Sequence, residues 1–150
     1  MINLGKFTYD EDEVIHCVNF MKNSDVIFSG TLSKEDFIKY NFKKPKIVFS
    51  KNNLITFINL EIAIEENDIV YCQLDYLEVL FKLIKKLDLK NIKVISTQSD
   101  RKVDKKLYDR KPKCISKWYS INVDYNHPKL VPIPLGIASY RNTKSVIFSD

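Results

Sequence analysis

Apolar residues gather in five short runs along the chain: Val26-Ile27-Phe28, Ile47-Val48-Phe49, Ile69-Val70-Tyr71-Cys72, Ile92 to Ile95, and Ile115 to Tyr119. They are rich in β-branched and aromatic residues, and segments with helical spacing separate them. A strand that is apolar at successive positions, rather than at alternate ones, is buried on both faces, as happens when helices cover a parallel sheet. The rhythm therefore predicts an α/β architecture: a Rossmann-like, mostly parallel sheet flanked by helices, in one domain spanning residues 1–150.

The clearest helix follows the third run. Tyr76, Leu77, Leu80, Phe81, Ile84 and Leu87 share one face, Lys82, Lys85 and Lys86 lie opposite, and Asp75 with Glu78 has the spacing of a capping box. Helices are also expected over 11–21, where Val14, Cys17, Val18 and Met21 align, and over 33–40 after Ser33. Residues 52–65 suit a helix or a strand. A short helix from Arg101 to Asp109 would bury Val103 and Leu107. Pro132 and Pro134 would delete donors on one side of an extended segment, which fits a terminating edge strand and no central one.

Composition narrows the class. Asn59, Glu61 and Glu65 interrupt the richest apolar region, so no stretch is long enough to span a bilayer, and Met1 to Lys6 lacks a signal-peptide core, which implies a cytoplasmic protein. Cys17, Cys72 and Cys114 are too few and too far apart for a disulfide framework or a zinc site, and reduced, buried thiols are expected. The Glu65-Glu66-Asn67-Asp68 cluster reads as a solvated loop, and no metal site is expected. Charge is uneven: of the +5 total, residues 82–113 carry 12 Lys or Arg against 4 Asp. Such a segment either forms a solvated face or attracts a polyanion. Only Tyr108 lies between Lys82 and Lys113 outside the apolar helix face, which is poor material for stacking on bases and argues against nucleic acid.

In an open parallel sheet, ligands bind beyond the carboxyl ends of the strands, where loops converge. There the chain places Ser29-Gly30-Thr31, then Lys51-Asn52-Asn53, Gln73 and Asp75, Thr97-Gln98-Ser99-Asp100, and finally Ser120 and Asn122. Hydroxyls, amides and carboxylates of this kind read polar small molecules such as sugars, and they are also the residues that turns and caps select.

Two segments carry a denser pattern: Thr97-Gln98-Ser99-Asp100 directly after a strand, and then Lys117-Trp118, Asn122, His127-Pro128-Lys129-Leu130 and Ile133-Pro134-Leu135-Gly136. Over roughly residues 68 to 138 this series resembles the N-terminal half of the exostosin-like glycosyltransferases. The resemblance implies the acceptor-side half of a two-domain GT-B fold, which transfers a sugar from a nucleotide donor to a glycan or other acceptor. In that family a C-terminal domain, not found in these 150 residues, holds most of the nucleotide sugar, a co-substrate and not a cofactor. Transfer by this chain alone is therefore not expected.

Within this frame Asp100 is a candidate general base for the acceptor hydroxyl. Its alternative role is the N-cap of a helix starting at Arg101, with Ser99 competing for that cap. His127, held extended by Pro128, is a second candidate base or phosphate contact, and otherwise a surface hydrogen-bonder. Thr97, Gln98, Ser99, Asn122, Asn52 and Lys51 are candidate substrate-binding residues, with Asn122 also suited to closing a turn. Trp118 reads as core. The rival function is a non-catalytic module that binds a polyanion or nucleic acid through residues 82–113.

Overall fold

The computed structural model describes residues 17–30, 38–42, 45–49 and 64–135. In chain order they form α1 (Cys17–Lys22), β1 (Val26–Phe28), β2 (Lys46–Phe49) and β3 (Ile69–Gln73). A 3-10 turn (Leu74–Tyr76) then leads into α2 (Leu77–Ile84), followed by β4 (Ile92–Thr97), α3 (Lys105–Tyr108), β5 (Ile115–Ser120) and β6 (Leu130–Pro132). All five apolar runs are strands, and the Pro-bounded segment supplies the sixth.

The strands form one sheet in the order β2-β1-β3-β4-β5-β6. Every neighbouring pair is parallel. Because strand side chains alternate between faces, β1, β3 and β4 feed two cores. Val26, Phe28, Val70, Cys72, Val94 and Trp118 join Leu77, Leu80, Phe81 and Ile84 of α2 on one face. Ile27 and Tyr71 turn the other way, onto Val18 and Met21 of α1, with Phe42 and Ile95. Burial on both sides explains why the runs of these three strands are continuously apolar. The result is a Rossmann-like α/β domain whose sheet is parallel throughout the described residues. Pro132, at the end of β6, pairs with Ser120 on the sheet edge, where its missing N–H costs nothing.

Some local expectations change. Asp75 and Glu78 do not cap: α2 begins after Tyr76, which makes no side-chain cap bond. Both carboxylates instead reach partners far along the chain. The helix expected from Arg101 begins only at Lys105, and its cap is Asp104, whose side chain accepts the Leu107 N–H. Val103 and Leu107 are buried as expected. Cys72 is fully buried, whereas Cys17 and Cys114 are partly exposed; all three are free thiols, and burial pushes those of Cys72 and Cys114 up. The expectations for residues 11–16, 33–37 and 52–63, with Lys51 and Asn52, lie outside the described residues. Among the described residues no helix is long and apolar enough to cross a membrane.

Candidate functional site at the carboxyl edge

The edge rests on a buried polar layer. Ser96, on β4, donates to Ser120 on β5 at 2.7 Å and accepts the indole N–H of Trp118 at 2.8 Å. One strand over, the Tyr71 and Thr97 hydroxyls meet at 2.6 Å. Burial holds the Tyr71 phenol well above its ordinary range, so it remains neutral. These polar groups are satisfied in a dry interior, which fixes the relative height of the three strand ends. Thr97 thereby becomes part of the foundation, 3% exposed, with its hydroxyl engaged by Tyr71.

Above that layer the chain turns sharply. Gln98 has φ +61°, in the left-handed region, and its side-chain amide donates to the Cys17 sulfur at 3.2 Å. Ser99 then makes three bonds. Its hydroxyl donates to Asp75 Oδ1 at 2.6 Å and accepts the Arg101 N–H at 3.0 Å, while its carbonyl accepts the Asn122 side-chain amide at 2.7 Å. Asn122 is also left-handed, at φ +53°, and its own carbonyl accepts the Val103 N–H. The turn therefore closes and the amide clamps the neighbouring loop. Asp100 sits at the crest of this loop, exposed, with no hydrogen bond or ion pair to any described residue.

The structure thus brings together Thr97, Gln98, Ser99, Asp100 and Asn122. His127 lies elsewhere. It opens the tight turn that precedes β6, its carbonyl accepting the Leu130 N–H at 2.9 Å, and none of its contacts reaches the loop after β4. There its Nδ1 accepts the Lys129 N–H at 3.0 Å and meets the Tyr108 hydroxyl at 2.8 Å. A backbone N–H can only donate, so Nδ1 carries the lone pair and neutral His127 bears its proton on Nε2. The Tyr108 ring also contacts Trp118, Tyr125 and His127. Burial first, then the neighbouring Tyr125 and Asp109, raise its phenol above the ordinary value.

Sequence reasoning placed Gln73 and Gly30 at this edge but missed three sets of contacts, those of Gln73, Tyr76 and Glu78. Gln73 Oε1 accepts the Gly30 N–H at 3.0 Å, tying the ends of β3 and β1 together where the strand order reverses. Tyr76 lies over the same glycine: a Cβ at Gly30 would come within 2.6 Å of the ring. The signal was Gly30 itself, one of three glycines, placed two residues after a strand. The third group is Glu78, whose Oε1 accepts from Arg101 at 2.9 Å and also from Arg110. The Arg101 bond, assisted by both nearby guanidiniums, lowers its carboxyl below the usual range against a smaller opposing effect of burial.

Among the described residues no three His, Cys, Asp or Glu side chains cluster as a metal ion would require. The edge instead offers one unpaired carboxylate, hydroxyl and amide groups braced against each other, and two paired guanidiniums. That set suits hydrogen bonding to a polyhydroxylated ligand and proton removal by Asp100. The chain matches no protein-family model, and a search of the curated proteins finds no similar sequence.

Proposed function

We propose that this chain is the acceptor-side domain of a glycosyltransferase of the exostosin-like kind, binding a carbohydrate acceptor at its carboxyl edge. The observation that carries the reading is the Asn122 to Ser99 bond of 2.7 Å, which joins two of the segments on which the resemblance rests beside an unpaired Asp100. In an inverting transfer Asp100 takes the proton of the acceptor hydroxyl as its oxygen bonds to the anomeric carbon of the donor sugar. The bond from that carbon to the nucleotide breaks at the same time, and the nucleotide leaves with the electron pair. The nucleotide sugar is a co-substrate that engages a second domain. His127, bonded to Lys129 and Tyr108, stiffens the His-Pro-Lys-Leu turn, and the role of base falls to Asp100.

A second reading, a polyanion-binding module, draws support from one observation: Arg101, Lys102, Lys106 and Arg110 of the basic segment share one cavity. Against nucleic acid stands Tyr108, whose ring is engaged by Trp118, Tyr125 and His127.

Saturation-transfer NMR with a panel of neutral oligosaccharides, followed by titration of the best binder, tests the proposal. Wild-type protein and Asp100→Asn should bind alike, whereas Asn122→Ala should weaken binding about tenfold, the equivalent of about 1.4 kcal/mol. A chain that binds no saccharide but binds an oligonucleotide tightly at about 0.2 M salt would replace this reading with the second.

A further inference from the structure

The basic segment is not a uniform face. Arg101, Lys102, Lys106 and Arg110 line one open cavity of about 310 Å³ together with Asp104 and Leu107. Leu107 is buried and belongs to the core, so the cavity wall is anchored. The two guanidiniums are held in advance, because both donate to the same Oε1 of Glu78. A guanidinium has five N–H donors, and this bond occupies only one on each arginine.

The carboxylates in contact with these side chains or lining the cavity are committed. Glu78 is shared between the arginines, and Asp104 Oδ1 accepts the Leu107 N–H at 2.8 Å. Lys102 meets Asp124 at 3.5 Å with both side chains largely exposed, an arrangement that contributes little. Lys106 has no ion-pair partner among the described residues. Among the residues that line the cavity, four cations therefore stand against the single carboxylate of Asp104.

We propose that this cavity binds the phosphate group of a small phosphorylated molecule. A carboxylate is satisfied by a single guanidinium fork. A phosphate monoester brings a charge of about −1.5 to −2 and three acceptor oxygens, enough to engage both remaining forks and the Lys106 ammonium together. The volume matches the lower end of small-ligand sites, room for a phosphate and about one sugar-sized ring. This assignment does not depend on sugar transfer at the neighbouring edge; it follows from the cation geometry alone.

Calorimetric titration of the chain with glucose 6-phosphate, inorganic phosphate and glucose tests it, alongside NMR of the arginine Nε–H groups. Both phosphate species should bind and shift Arg101 and Arg110, and glucose at equal concentration should do neither. Tighter binding of the ester would assign the site to a phosphorylated sugar, and equal binding to the free ion. Arg110→Gln should weaken binding about tenfold. Lys106→Gln, which disturbs no bond within the protein, should weaken it several-fold at an unchanged melting temperature. Phosphate affinity unaltered in both variants, glucose binding as well as its phosphate, or no phosphate binding at all would overturn the assignment.

Discussion

Ser99 and Asp75 lie 24 residues apart and follow different strands, yet a 2.6 Å hydrogen bond joins their side chains. That bond, with the Asn122 amide on the Ser99 carbonyl, determines where Asp100 stands. The carboxyl edge is a braced loop whose crest is one free carboxylate.

Capping and chemistry can be separated by substitution. Asp104 caps α3, so Asp104→Ala should cost about 1 kcal/mol and Asp104→Asn almost nothing. Asp100 caps nothing, and Asp100→Ala should change stability by less than about 0.5 kcal/mol. Urea denaturation of the three variants checks both statements. A cost of about 1 kcal/mol for Asp100→Ala would mean that it has a structural role.

The buried layer beneath the edge should be sensitive to loss of one hydroxyl. Ser96→Ala leaves the Trp118 indole N–H without its acceptor in a dry interior, at a cost of about 1–3 kcal/mol. Trp118 is the only tryptophan, so its fluorescence reports directly on unfolding. An unchanged denaturation midpoint in Ser96→Ala would show that the layer does not fix the strand ends.

The arginine-bound Glu78 makes stability depend on pH. Its folded-state pKa is lowered, first by the Arg101 hydrogen bond, so its contribution is present above the unfolded value of about 4.3 and is lost as pH falls through the folded one. Wild type should therefore melt above Glu78→Gln at pH 6, and the gap should close in the acid range. Both side chains in each pair are partly exposed, which keeps the gap small and salt-sensitive. A gap that persisted undiminished at low pH would rule out the carboxylate as its source.

Crowding at Gly30 gives a packing test. A methyl group there would meet the Tyr76 ring at 2.6 Å, and overpacking of this kind costs about 1–3 kcal/mol. Gly30→Ala should be destabilised accordingly. Adding Tyr76→Ala should remove that penalty, because the obstructing ring is gone; a penalty of the same size with the ring absent would place the constraint elsewhere.

The strands were legible because their requirement is local: β-branched and aromatic residues, buried on both faces, leave a continuous apolar run such as Ile69 to Cys72. The edge strand was legible because Pro132 forbids a central position. What escaped was set by partners distant in sequence. Asp75 and Glu78 have capping-box spacing, but Ser99, Arg101 and Arg110 compete for the same carboxylates and win. Asp100 and Asp104 both precede helix-forming residues, and only the bond to Leu107 distinguishes the cap. His127 and Asp100 both looked like residues of one cleft; the tight turn from His127 to Leu130 instead holds the imidazole against Tyr108 and Tyr125, and it makes no contact with the loop that carries Asp100. Gly30 and Tyr76 meet only because β1 and β3 are neighbours, an adjacency that strand spacing alone does not specify.

We propose that a saccharide binds at the loop after β4, clamped by Asn122. The direct measurement is a 15N-edited NMR titration of the chain with the best-binding neutral oligosaccharide. Amide shifts should concentrate at Gln98, Ser99, Asp100 and Asn122, with Tyr108, Tyr125 and His127 unmoved. Shifts confined to the Tyr108–His127 side, or spread without focus across the domain, would contradict it.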